Sequence, residues 1–491
     1  MTGLISVDDC KNNNEVTALV IGELLQENQE FLDLAKKLDI PLFFSSLDWP
    51  RDTGFMDKKR FFVPITNKGG RFLQDASYLM PLHSRSIPEE LVSGESVLNK
   101  RVDVFLSEIR NNPIPIEIFQ SNCHVEGGNM VKVGKDKVII GVEAAVYTAL
   151  YLLENPIENL GKKVFHKLQQ IESHPKFEEA NKLAFSCLNK LFFEDINTAL
   201  YELASKEGIV VSGSLAPIFE RMKNLVGRFL PSFLYSQNYF GFLDQKTYCI
   251  SAIWTALLEV SKEFTQLEIK GSSDIEEVIW LPDDLGTRSG QLEYHIDLYI
   301  TVIGNRVLID DPSEVAKVCK EEISRKVTVQ NLDLEKIKTY RRQVKEVMKS
   351  NLKSEIPLEE IPEDIAFLCR VQIFSKRVFK NHQEEYQKIE NTLKQYNLEV
   401  IRVPGNWYDF DPCDLTLSHE AAFLNGIYHE ESSSWIAFHF DNEIPVARKS
   451  FLKKINPLIK ESYFVSGGRI ALDNMGGLRC MTQSFPLPKP L

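Results

Sequence analysis

Short apolar blocks separated by polar turns dominate the first 140 residues, and long stretches with helical spacing interrupt the series further on. The blocks at 16–22, 42–45, 61–64, 116–118, 131–140 and 277–281 are short and rich in β-branched and aromatic residues, so each predicts a strand. Residues 27–38 carry apolar positions at helical spacing and predict an amphipathic helix. The runs 298–303 and 307–309 flank Gly304-Asn305 and predict a tight hairpin. Further strands are predicted at 398–403, 422–428, 435–440 and 469–472.

Strands alternating with helices predict an α/β class. Two stretches depart from the alternation. Residues 143–266 are mostly helical, with apolar faces such as Phe165, Leu168 and Ile171, and Leu183, Leu188, Leu191 and Phe192; Gly227 and Pro231 punctuate them. Residues 313–395 form a charged helical stretch, including 336–353 and 383–396. No repeat is visible in the sequence, and 486–491 reads as a loose tail.

The chain has 491 residues, enough for one large domain or two to three ordinary ones, and its 43% apolar content suffices for a core. No run approaches the roughly 20 apolar residues of a membrane span. The first thirty residues lack a basic start followed by an apolar block, so a cytoplasmic protein is expected. Acidic residues outnumber basic ones, 69 to 57, which argues against general nucleic-acid binding and is compatible with a cationic substrate. The eight cysteines, at 10, 123, 187, 249, 319, 369, 413 and 480, form no CxxC pair and suit neither a zinc ribbon nor a disulfide scaffold. Any one of them can be a buried, inert thiol.

Four segments carry potential chemistry. Trp49-Pro50-Arg51-Asp52-Thr53-Gly54 places an Arg-Asp pair in a loop, where a surface salt bridge is the plain alternative. In His124-Val125-Glu126-Gly127-Gly128-Asn129 two glycines permit an unusual backbone turn, although a simple hairpin turn accounts for them too. Tyr294-His295-Ile296-Asp297 opens an apolar strand, on which positions i and i+2 share a face. His295 and Asp297 are therefore expected side by side, as an acid/base imidazole next to an anionic binding group. A solvated strand face fits equally. Gly476-Gly477-Leu478-Arg479-Cys480-Met481-Thr482 ends the series with a cysteine after a glycine turn, where an exposed sulfur among backbone N–H groups favours thiolate. A buried structural cysteine is the alternative.

Taken in order, Arg-Asp, Glu-Gly-Gly, His-x-Asp and Gly-Gly-x-x-Cys resemble the motifs of the guanidino-group-modifying enzyme (pentein) superfamily. The local likeness is strongest to agmatine deiminases: Trp-x-Arg-Asp-x-Gly at 49–54, Glu-Gly-Gly at 126–128, 279–281 leading to His295-Ile296-Asp297, and Gly-Gly-x-x-Cys-x-Thr-Gln at 476–483. Arg479-Cys480-Met481 is similar instead to arginine deiminases, and Arg479 stands where agmatine deiminases usually have His. The resemblance covers about 16–142, 270–312 and 397–486. It implies one catalytic domain over 1–491, a pentein-like α/β propeller of ββαβ modules with pseudo-fivefold symmetry, carrying helical insertions at 143–266 and 313–395. With only 51 residues before Asp52, the first module is expected to be abbreviated.

The resemblance also implies roles. Cys480 is the nucleophile, His295 the acid and base, and Glu126 the group that orients it; Asp52 and Asp297 clamp the guanidinium, with Arg51 and Trp49 beside the substrate. No metal or organic cofactor is implied, and the partner is a small guanidine, agmatine- or arginine-like, or an arginine within a protein. The competing readings are an amidinotransferase, against which Glu126 speaks, and a catalytically retired pentein acting as a binding protein.

Overall fold

The computed structural model describes residues 15–57, 60–64, 97–111, 116–172, 245–281, 296–350, 361–405, 423–439, 444–468 and 477–488. Strand β1 (Glu15–Ile21) is followed by helices α1 (Glu23–Gln26) and α2 (Gln29–Lys37) and by β2 (Leu42–Phe44), which lies parallel to β1. Helix α2 begins where the Asn28 side chain accepts the Phe31 N–H, and it buries Phe31, Leu34 and Ala35. Strands β3 (Phe55–Asp57) and β4 (Arg60–Val63) form an antiparallel pair; α3 (Val97–Asn111) then leads to β5 (Glu117–Gln120), parallel to β4.

The same arrangement recurs three times more. Strands β6 (Met130–Val133) and β7 (Lys137–Gly141) pair antiparallel, and α4 (Glu143–Glu154), α5 (Leu160–Glu172) and α6 (Gln245–Ser272) precede the parallel β8 (Glu277–Leu281). Strands β9 (Ile300–Ile303) and β10 (Arg306–Asp311) are joined by Gly304-Asn305, the hairpin that the sequence predicts. Helices α7 (Pro312–Gln330), α8 (Leu334–Ser350) and α9 (Glu363–Gln395) then lead to the parallel β11 (Glu399–Pro404). Last come β12 (Ile427–His429), β13 (Ser434–Phe438), α10 (Pro445–Ile455) and β14 (Glu461–Val465) in the same order.

The first sheet receives its antiparallel strand from the other end of the chain. Strand β15 (Thr482–Pro488) pairs with β1 from Glu15↔Pro488 to Ile21↔Thr482. The described residues thus form five three-stranded sheets, each with one antiparallel and one parallel pair about its middle strand. Both readings of the termini are corrected: the first unit is complete, and 482–488 is a strand, with 486–488 part of it rather than a tail. Only long-range pairing reveals this, because β15 has no local partner.

Neighbouring strand residues serve different cores. On β4, Phe61 and Val63 enter a cluster with Phe105 and Phe485, while Phe62 enters another with Phe55 and Val138. On β6 and β7, Val131 and Ile139 join the largest cluster, and Met130, Val138 and Ile140 face away from it. The predicted strand 131–140 is two strands, turning at 134–136, where Gly134 takes a positive φ. The predicted strand 422–428 shortens to β12. Strands β3 and β14 and helices α1, α3 and α10 are additions to the predicted elements.

The two helical stretches fall between the second and third strands of their sheets, so each is an enlarged crossover connection. Of the predicted apolar faces, Leu168 and Ile171 are buried. The face at 183–192, Gly227, Pro231 and the strand at 469–472 lie outside the described residues. No helix among the described residues is long and apolar enough to cross a membrane.

Phe485 is fully buried, 5.7 Å from the Phe61 ring and 6.1 Å from that of Phe105. Phe485→Ala should therefore cost about 3–5 kcal/mol. Urea unfolding checks this, and a loss below about 1 kcal/mol would show that β15 is peripheral to the core.

Candidate active site

The sequence-nominated motifs all lie just before the strand that forms the antiparallel edge of a sheet. A 3-10 turn at Pro50–Thr53 precedes β3, one at Gly127–Asn129 precedes β6, and one at Ile296–Leu298 precedes β9. Residues 423–426 turn into β12, and 478–481 turn into β15. Equivalent positions in repeated units bring these turns together: Gly127–Asn129 packs against both Pro50–Thr53 and Ile296–Leu298, and β15 against Pro50–Thr53. The Arg51 N–H approaches the Cys480 carbonyl at 3.4 Å.

Gly127 is required by a close approach. Its φ is not positive, but a Cβ at this position would overlap the Arg51 carbonyl and come within 2.5 Å of the Gly54 carbonyl. The glycine lets two turns touch, rather than allowing an unusual backbone as the sequence suggested.

At the centre lies Asp297, fully buried, with Oδ2 3.6 Å from Arg51 Nε and 3.7 Å from Arg479 Nε. Arg51 Nη2 also donates to the Met130 carbonyl, at 3.1 Å. Arg479 Nη1 donates to the Ile300 carbonyl and to Thr301 Oγ1, both at 3.0 Å. Burial pushes the Arg479 guanidinium down to about 10; Asp297 and Cys480 pull it up and the neighbouring Arg51 pushes it down. It remains a cation at neutral pH. Arg51 is thus no surface salt bridge; it turns inward and pairs with Asp297.

Cys480 is 5% exposed, so the exposed sulfur expected after the glycine turn is corrected. Its Sγ receives a hydrogen bond from Asn425 Nδ2 at 3.3 Å. Asn425 Oδ1 in turn accepts the Arg479 N–H at 3.0 Å. Gly477 makes room for this amide, since a Cβ there would come within 2.8 Å of three Asn425 side-chain atoms. Burial raises the Cys123 and Cys369 thiols to about 12 and about 11.

Glu126 is 2% exposed, and its Oε2 lies 3.3 Å from His124 Nε2. The His124 backbone N–H donates to Thr148 Oγ1, and its ring packs 4.7 Å from Tyr147, so α4 fixes the pair. Trp49 is 8% exposed and belongs to the largest core cluster. The strand argument for His295 and Asp297 is corrected as well. Asp297 sits in a 3-10 turn, and β9 starts only at Ile300, so i and i+2 do not share a strand face there. His295 and the side chain of Asp52 lie outside the described residues. Asn425 and His124 are the two polar partners that the sequence reading left unassigned. For Asn425, the signal was an Asn-Gly pair just before an apolar run. Among the described residues, no group of three or more His, Cys, Asp or Glu side chains is arranged to hold a metal ion.

No family model and no curated protein sequence matches the chain. Among solved structures it resembles the agmatine deiminase of C. jejuni, at 12% identity and TM-score 0.39, covering 98% of this chain and 100% of that one. It also resembles the agmatine deiminase of Enterococcus faecalis, at 11% identity and TM-score 0.39, covering 98% and 96%. Both likenesses are distant.

Asp297→Asn keeps the shape of the side chain and removes the charge that pairs with two buried guanidinium groups. It should cost about 3–5 kcal/mol of stability in chemical denaturation, and Asp297→Asn with Arg479→Met should recover part of that. A loss below about 1 kcal/mol would show that the ion pairs are idle. In native protein alkylated with iodoacetamide at pH 8, Cys123 should stay unlabelled, because a thiol near 12 is about one part in ten thousand thiolate at that pH. Peptide mass spectrometry reads this, and rapid labelling of Cys123 would refute its protected state.

Proposed function

We propose that the chain is a cysteine-dependent hydrolase that deiminates a guanidino compound, releasing ammonia and a ureido product. The observation that carries this reading is that the Arg-Asp, Glu-Gly-Gly, His-x-Asp and Cys turns touch one another although they come from residues 50 to 480. The five repeated sheets support a pentein-like propeller, with these turns around a common pseudo-fivefold axis.

A guanidinium is a flat, delocalised cation whose carbon is a poor electrophile until charge and geometry are fixed. Carboxylates matching its N–H fork supply strong charge-assisted hydrogen bonds. Asp52 and Asp297 take that role in this reading, and Glu126 holds a further N–H. The Cys480 thiolate attacks the central carbon and forms the C–S bond. His295 gives a proton to the departing nitrogen, the C–N bond breaks, and ammonia leaves an S-alkylthiouronium. His295 then takes a proton from water, which attacks the same carbon. The C–S bond breaks, and the thiolate and ureido product are released. Arg51 and Trp49 act as scaffold in this scheme.

Arginine, agmatine, methylated arginines and an arginine-containing protein, each assayed for ammonia and ureido product, test the proposal and select the substrate. At least one should turn over, and Cys480→Ala should abolish that turnover while keeping the fold. Guanidinoacetate and ornithine formed from arginine plus glycine, without ammonia, would instead identify an amidinotransferase. No turnover in any arm would leave a binding protein.

A further inference from the structure

We propose that Asn425 is the positioning residue of the nucleophile, holding the Cys480 sulfur by a hydrogen bond that is strongest when the sulfur is a thiolate. This inference rests on the reading of Cys480 as nucleophile. Asn425 lies in the turn leading into the fifth sheet, the only one of the five sheets among the described residues whose leading turn carries none of the nominated residues. Its side chain is 3% exposed and has both ends engaged.

The amide orientation follows from chemistry. The Arg479 backbone N–H can only donate, so the atom 3.0 Å from it must be the oxygen. That leaves Nδ2, a donor, facing Sγ at 3.3 Å. Three neighbours lock the arrangement. Gly477 removes the Cβ that would displace the amide. Thr482 Oγ1 and the Thr482 N–H both donate to the Arg479 carbonyl at 3.1 Å, which holds the peptide that presents Arg479 and Cys480. The Arg51 N–H lies 3.4 Å from the Cys480 carbonyl. A sulfur so placed cannot swing without losing its donor. A donor aimed at the charged form of an acid favours that form, so the amide keeps Cys480 ready to attack.

The test reads Cys480 alone and needs no guanidine. The rate of its alkylation by iodoacetamide is followed against pH, by mass spectrometry of its peptide, in the wild-type protein, Asn425→Ala and Asn425→Asp. Asn425→Asp keeps the oxygen that accepts from Arg479 and replaces the donor with a second acceptor. The wild-type inflection should lie below the roughly 8.5 of an ordinary thiol. Asn425→Ala should raise it by about one to two units, and Asn425→Asp further, with a fall in kcat at little change in KM on any substrate found. Coincident profiles for all three proteins would overturn the proposal. Should the variants fail to fold, a wild-type inflection at or above the ordinary thiol value would overturn it equally. A shifted profile without turnover of any guanidine would sink the deiminase reading and leave the role of Asn425 intact.

Discussion

The carboxylate of Asp297 is buried between two guanidinium groups, one from residue 51 and one from residue 479, and the turns around it depend on that charge. Two cations in an apolar interior repel each other and lose their hydration, each at a cost of several kcal/mol. Neutral acceptors share the task with the carboxylate: the Met130 carbonyl for Arg51, and the Ile300 carbonyl and Thr301 hydroxyl for Arg479. Those acceptors sit at the starts of β6 and β9, so the need to satisfy two arginines fixes four turns of the chain in one cluster.

Topology explains why that cluster can exist at all. Each sheet is led into by a turn at the same place, and the chain closes the first sheet with its last strand. Residue 480 therefore lies next to residue 51, whose N–H faces its carbonyl. Large additions are tolerated because both sit in crossover connections, which leave the middle strand at the leading-turn end and return to the opposite end of the sheet. A long connection adds little closure cost and leaves strand pairing untouched.

The sequence made the residue types and their order legible, because turn chemistry is local: a Gly-Gly pair, an Arg-Asp loop and a late cysteine can be read without a partner. The Gly304-Asn305 hairpin was legible for the same reason. What could not be read depends on distance. The pairing of β15 with β1 joins residues more than 460 apart, and no pattern within 482–488 announces it. Arg51 read as a surface residue because its partner is 246 positions away. Asn425 was hidden inside an apolar stretch that reads as a strand; its function rests on one hydrogen bond to a sulfur 55 residues on.

The Arg-Asp-Arg cluster also constrains the chemistry beside it. The Asp297 carboxylate is already shared between Arg51 and Arg479, so any further cation brought to it competes with both. The arginine beside the sulfur acts the other way: a cationic neighbour favours thiolate, and the Cys480 charge reciprocally raises the Arg479 guanidinium. Glu126 is a second carboxylate at these turns, buried and held 3.3 Å from His124. Under the proposed function the labour divides by sign: arginines support the thiolate, and the remaining carboxylates meet the cation it attacks.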